Sequence, residues 1–134
     1  MRIAAYLSFS GNCREAMEFY KQCLGGELSF QTMEDSPHGK ALMNTLKNKI
    51  LHASLINKQF SLLATDMTDE AGLYSGNSVS IFLNCNNESE TRNIFHKLSD
   101  GAKQKQELVK NDYGTLTGYL VDKFGIPWLV VNTR

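Results

Sequence analysis

The sequence predicts an α+β protein built from two βαβββ modules. Three observations predict it. Eight short apolar or alternating runs have strand length and are separated by turn-forming residues. Two amphipathic stretches each begin at an asparagine and stop at a glycine. The order strand, helix, strand, strand, strand occurs twice. A shift of 75 positions places Tyr6 on Ile81, Leu7 on Phe82, Asn12 on Asn87, Glu15 on Glu90, Tyr20 on Phe95 and Gly26 on Gly101. Side-chain identity across this shift is low, but cap, helix and stop stay in step.

The opening run, residues 3–9, reads as a strand with one apolar face. Gly11 and Asn12 break it. Asn12 is a good N-cap residue, and Glu15 stands where a capping-box carboxylate belongs. Ala16, Tyr20, Cys23 and Leu24 then form one helical stripe, and Gly25-Gly26 supplies the positive φ of a helix stop. Strands are expected over 27–34, 50–56 and 60–65, with a polar loop holding Pro37, His38 and Gly39 after the first. A loop over 66–78 follows. The second module opens with a strand at 79–85, then a capped helix with Ile94, Phe95 and Leu98 facing inward and Gly101 at its end. Three strands are expected over 106–111, 115–122 and 126–132.

At 134 residues the chain is read as a single domain spanning 1–134: module one 1–66, a crossover loop 67–77 and module two 78–134. Fourteen basic residues balance fourteen acidic ones, which gives no electrostatic footprint for nucleic acid. No apolar run approaches the ~20 residues of a membrane span, and the N-terminus has no long apolar region before a small-residue cleavage site. Cys13, Cys23 and Cys85 are odd in number and lack C-x-x-C spacing, so neither a disulfide framework nor a thiolate zinc site is expected. They read as small apolar filler in reduced form, and the expected location is cytoplasmic.

Four stretches carry a resemblance over nearly the whole chain: "YLSFSGNCREAMEFYKQCLGGEL" at 6–28, "ILHASL" at 50–55, "LLATD" at 62–66 and "VDKFGIPWLV" at 121–130. Together they resemble the vicinal oxygen chelate superfamily of glyoxalases, bleomycin-resistance proteins and extradiol dioxygenases. Within it they are most similar to the PhnB-like branch, also labelled demethylubiquinone methyltransferase-like. The resemblance implies a glyoxalase-like fold, two modules whose curved mixed sheets enclose a cavity, and a site commonly completed in a homodimer.

In metal-using members of this superfamily, ligands project from the first and last strand of each module. The first-strand position falls at Ala5, and the 75-residue shift puts its counterpart at Ser80. The last-strand position falls at Leu129 in module two, or at Val130 with a slip of one, and "FSLLAT" in module one offers only hydroxyls. Divalent metals need carboxylate, imidazole or thiolate ligands in number. No metal ligand is therefore assigned and no cofactor is expected, with a divalent metal left open through other residues.

The candidate site residues are Leu7, Phe9, His52, Ser54, Tyr113 and Trp128. His52 lies mid-strand, on the expected face of Ile50 and Ser54, and is the candidate catalytic base if there is chemistry. Its bland alternative is a half-buried histidine tied to a neighbour. The aromatics Tyr6, Phe9, Tyr113, Tyr119, Phe124 and Trp128 lie on or beside strands, where some line a cavity and others are core. Tyr113 stands before Gly114, where the family places a large aromatic. Leu73, Tyr74 and Gly76 are candidates for a lid. Asp66 and Asp122 read as turn or cap residues, Glu15 as a cap, and His38 and His96 as surface residues.

No phosphate-binding glycine turn, P-loop, zincin or nucleophile-elbow motif is present. The chain is too short and in the wrong element order for a doubly wound cofactor sheet, so methyltransferase activity is not expected. The expected function is metal-free binding of a small molecule by a homodimer, with neither nucleic acid nor membrane as partner. The alternative is a metal-dependent lyase, isomerase or dioxygenase with non-standard ligands such as His52 and Asp66. A third reading is a purely assembling module.

Overall fold

The computed structural model describes residues 1–35, 48–67 and 72–133. The chain divides into two units, Met1–Tyr74 and Ser75–Arg134. The loop residues Pro37, His38 and Gly39 lie outside the described residues.

The first unit runs β1 (Ala5–Ser8), α1 (Cys13–Leu24), β2 (Glu27–Thr32), a 3-10 turn at Met33–Asp35, β3 (Ile50–Ile56) and β4 (Ser61–Thr65). Its sheet has the order β1-β4-β3-β2, with β1 parallel to β4 and the other pairs antiparallel. One face is covered by α1, which packs on β2, β3 and β4. The helix buries Cys13, Ala16, Met17, Phe19, Tyr20 and Cys23, a wider stripe than expected, while Leu24 is only half-buried. Ala53, Leu55, Leu62 and Ala64 meet it from the sheet and are fully or almost fully buried. Gly26 joins helix to sheet at φ +103°, and a Cβ there would lie 3.2 Å from the Ile56 carbonyl oxygen. Glycine meets both demands.

The start of α1 departs from expectation. The Asn12 side chain makes no capping hydrogen bond. Asp66, just past β4, does this work from 53 residues away: its Oδ1 accepts from the backbone N–H groups of Gly11 and Cys13 at 2.9 and 3.0 Å. Its Oδ2 accepts from the Ile50 N–H at 2.9 Å. A long-range carboxylate thus replaces the local cap and ties the helix to the sheet.

A second departure lies in β3. Gln31 pairs with His52 but Thr32 pairs with Ile50, so Leu51 is an extra residue. This β-bulge reverses the phase of the strand. Ile50 turns to the buried side and is wholly inaccessible, so it does not share the face of His52.

The second unit runs β5 (Ile81–Asn84), α2 (Glu88–Leu98), β6 (Gln104–Lys110), β7 (Leu116–Val121) and β8 (Pro127–Asn132). Strand order is β5-β8-β7-β6, with β5 parallel to β8. The plan of the first unit is repeated. Here the local cap forms: Asn87 Oδ1 accepts from the Glu90 N–H at 2.8 Å, and Glu90 Oε1 accepts from the Asn86 N–H at 3.2 Å. Phe95 and Leu98 are buried under α2, Ile94 is half-buried and His96 exposed. Gly118 in β7 is needed for contact: a Cβ would sit 2.7 Å from Phe95 Cε2 and 2.8 Å from Leu108 Cδ2.

The two repeats coincide at different offsets. Asn12 and Asn87 stand at the N-cap positions of their helices, 75 residues apart. Strand β5 begins 76 residues after β1, at Ile81 against Ala5. Tyr6 therefore corresponds to Phe82 and Leu7 to Leu83, not to Ile81 and Phe82. Together the elements form two mixed four-stranded sheets with helices, an α+β architecture. Among the described residues, no helix is long and apolar enough to cross a membrane.

Candidate functional site

Directly paired residues of a sheet project from the same face. In the first unit this separates a helix-covered face from an open one. Tyr6, Leu63, Ser54 and Ser29 form a continuous row across all four strands of the open face. Ser8 beside Thr65, and His52 beside Gln31, form the next row.

Tyr6 is 56% exposed. It leans toward His52 across β4, with ring centroids 6.3 Å apart and planes inclined by 24°. Ser29 Oγ and Ser54 Oγ are hydrogen-bonded at 2.8 Å. Glu27, at the start of β2, is the one Asp, Glu, Lys or Arg among the strand residues of this face. The face is therefore aromatic at β1, hydroxylic and amidic at β2 and β3, and almost without formal charge.

This geometry brings together two of the expected site residues, His52 and Ser54. Leu7 pairs with Ala64, on the side that α1 covers, and Phe9 is buried beyond the end of β1. The parity of β1 thus puts Tyr6 and Ser8, rather than Leu7 and Phe9, on the open face. Tyr6 and Ser29 were absent from the expected site. The alternation of Tyr6 with Leu7 was visible, but which of the two faces outward depends on pairing with β4.

In the second unit, Tyr113 is 90% exposed at the tip of the β6–β7 hairpin. The Asn111 side chain shapes that tip by accepting from the N–H groups of Tyr113 and Thr115, each at 2.9 Å. Trp128 is interior, and its indole N–H donates to Asp122 Oδ2 at 2.9 Å. Asp122 Oδ1 accepts from the Phe124 and Ile126 N–H groups at 2.8 and 3.0 Å, so Asp122 organises the turn before β8. The open face here carries Phe82, Leu129 and Tyr119 in one row, with Gln106 at its end.

A shallow hollow of about 430 Å³ lies beside the start of α2, lined by Asn86, Asn87, Lys110 and Asn132 among others. Its Lys110 ammonium is 2.6 Å from Glu88, whose carboxyl also meets Arg92 at 3.0 Å. Hydrogen bonds from Lys110 and then Arg92 hold the Glu88 carboxyl below its usual range.

The register pairs Ala5, the expected first-strand metal position, with Leu62 on the side that α1 covers. Open-face residues on the outer and inner parallel strands are Tyr6, Ser8, Leu63 and Thr65 in one unit, and Phe82, Asn84, Leu129 and Val131 in the other. None supplies imidazole, carboxylate or thiolate, so this set does not fit a divalent metal. In the alternative pair of His52 and Asp66, both Asp66 oxygens already accept backbone N–H groups. Among the described residues, no group of three His, Cys, Asp or Glu side chains is placed to hold a metal. The three cysteines are buried. Burial, then the nearby Asp66 carboxylate, pushes the Cys13 thiol up to about 12, and burial likewise raises Cys85.

Known proteins share this architecture. The family model described as 3-demethylubiquinone-9 3-methyltransferase matches residues 1–131. Protein YjdN of Escherichia coli (strain K12) is 27% identical, covering 97% of this chain and 94% of its own length. The crystal structure of protein PA1353 from Pseudomonas aeruginosa is 36% identical, with a TM-score of 0.81 over 97% of this chain and 96% of the other. The PhnB protein from Bacillus cereus is 23% identical, with a TM-score of 0.76 over 99% of this chain and 100% of the other. At the level of fold alone, a glyoxylase/bleomycin resistance protein/dioxygenase domain from Frankia sp. EAN1pec aligns with a TM-score of 0.67 at 9% identity, covering 100% of this chain and 92% of the other. The matched span and the repeated mixed sheets agree: the chain belongs to the 3-demethylubiquinone-9 3-methyltransferase family, and its fold is the one seen in the glyoxylase/bleomycin resistance protein/dioxygenase domain.

Proposed function

We propose that this protein is a metal-free small-molecule binder that uses the open face of the first sheet, and that it works as a homodimer in the cytoplasm. The observation that carries the reading is the row Tyr6, Leu63, Ser54 and Ser29, with His52 leaning onto Tyr6. It combines an apolar surface with a few convergent polar groups, as small-molecule sites do. The open-face residues of β1, β4, β5 and β8 are aromatic, aliphatic, hydroxyl and amide side chains, which supports binding without a metal. The family resemblance supports the dimer. Methyl transfer is not part of this reading, because both sheets are mixed and four-stranded rather than a doubly wound cofactor fold.

A catalytic version keeps His52 as a general base. One observation favours it: the imidazole meets the Tyr6 ring on an open face instead of being locked in the core. The two versions separate on His52→Ala. An enzyme loses turnover with its fold intact, whereas a binder changes only in affinity.

The test is metal content of the purified protein, then melting temperature after incubation with Ni²⁺, Zn²⁺, Mn²⁺ and Fe²⁺, then a small-molecule screen. A species bound to the native state at 100 times its dissociation constant stabilises by about 2.7 kcal/mol. Near-stoichiometric metal with a clear thermal shift would sink the metal-free reading. Light scattering checks the dimer, which should run at about twice the 15.0 kDa of one chain.

A further inference from the structure

We infer that the open face of the first sheet selects an uncharged, planar, conjugated molecule bearing a hydrogen-bond-accepting oxygen, and discriminates against anions of the same shape; this rests on the proposed binding role of that face. The argument begins with charge. A carboxylate or phosphate taken from water needs a cation or several fixed donors. The strand residues of this face include no Lys or Arg, and their one carboxylate, Glu27, repels an anion. Among the described residues of the elements around His52, the titratable group recorded against its ring is Tyr6 on β1. Gln31 on β2 is neutral. Asp66, past β4, is turned to the backbone of α1 and β3.

Shape and polarity follow from the pairs. Tyr6 and His52 incline their planes by only 24°, so both rings offer nearly parallel faces to one flat partner. Leu63 lies between β1 and β3 in the same row and supplies apolar contact. Ser29 and Ser54 share one hydrogen bond at 2.8 Å. Two hydroxyls joined this way use one proton between them and keep the other to donate outward. The face therefore presents a stacking surface at one end and a hydroxyl donor at the other, which matches a ring system with a keto, ether or phenol oxygen.

The experiment uses three probes of one shape, naphthalene, 2-naphthol and 2-naphthoate, titrated into the ¹⁵N-labelled full-length protein. Binding is read from the amide shifts of Tyr6, Leu63, Ser54 and Ser29. The expected result is that 2-naphthol binds about tenfold or more tighter than 2-naphthoate. It also binds tighter than naphthalene, and the double variant Ser29→Ala/Ser54→Ala, which removes both hydroxyls of the pair, abolishes that second preference. Tyr6→Ala weakens all three. Equal or tighter binding of 2-naphthoate overturns the charge selectivity while leaving the binding face in place. A 2-naphthol preference that survives the double variant overturns the hydroxyl assignment. If all three probes leave these amides unmoved, the binding role of the face itself fails.

Discussion

Asp66, just past β4, holds Cys13, the first residue of α1, through a 3.0 Å hydrogen bond from the Cys13 backbone N–H to its Oδ1. The same carboxylate accepts from Gly11 and Ile50, and it is only 3% exposed. Removing it leaves three backbone donors around a buried gap. Asp66→Ala should therefore cost about 3–5 kcal/mol. Asp66→Asn should cost less, since one oxygen remains, but its amide would face the Ile50 N–H. Urea denaturation followed by circular dichroism measures both; a loss below about 0.5 kcal/mol for the alanine variant would refute the anchoring role.

Cys13 carries a pH consequence of the same contact. Burial and the Asp66 carboxylate raise its thiol from 9.0 to about 12. Between those values the unfolded chain loses a proton that the folded chain keeps. Stability present below pH 9 should thus fall as pH rises toward 12, by at most about 1.4 kcal/mol per pH unit from this group. Cys85, also raised by burial, acts in the same direction. Cys13→Ala should flatten the profile between pH 9 and 11 in denaturation curves. At pH 8 the native Cys13 should resist alkylation for as long as the protein stays folded.

The strands and helices were legible because their patterns are local. Alternation marks strands such as 50–56, and the run from Ala16 to Cys23 marks a helix stripe. Of the candidate open face, the sequence reading reached only His52 and Ser54, which sit on the regular part of β3. Which face of β1 is open is set by pairing Leu7 with Ala64, more than fifty residues away. The bulge at Leu51 changes the phase of Ile50 without any glycine or proline to announce it. Asn12 and Asn87 look alike in sequence, yet only Asn87 caps, because Asp66 already occupies the start of α1. The one-residue difference between helix and strand offsets lies in the turn between them, where no side-chain pattern fixes the count.

Gly118 tests how closely β7 lies under α2. An added Cβ would stand 2.7 Å from Phe95 and 2.8 Å from Leu108, inside van der Waals contact with two packed side chains. Gly118→Ala should destabilise by about 1–3 kcal/mol through overpacking. Leu108→Ala in the same chain relieves one of the two clashes and should recover part of the alanine penalty in a double-mutant cycle. Simple additivity of the two losses would show that the clash is not shared. Gly26→Ala should also destabilise, through its φ of +103° and the nearby Ile56 carbonyl.

Trp128 and Asp122 form a second buried anchor, and its energetics are separable. The indole N–H donates to Oδ2 at 2.9 Å, while Oδ1 holds the turn through Phe124 and Ile126. Trp128→Phe keeps most of the ring volume but removes a donor from a buried carboxylate, so it should cost about 1.5–3 kcal/mol. Asp122→Ala removes the acceptor for all three donors and should cost more, about 3–5 kcal/mol. In the double variant the indole donor has already lost its partner. Trp128→Phe should then add clearly less than it costs alone, leaving a coupling of about 1–2 kcal/mol. Because Trp128 is the one tryptophan, circular dichroism rather than fluorescence must follow the unfolding. Additive losses would mean that the hydrogen bond contributes nothing and that Trp128 stabilises the unit through its buried ring alone.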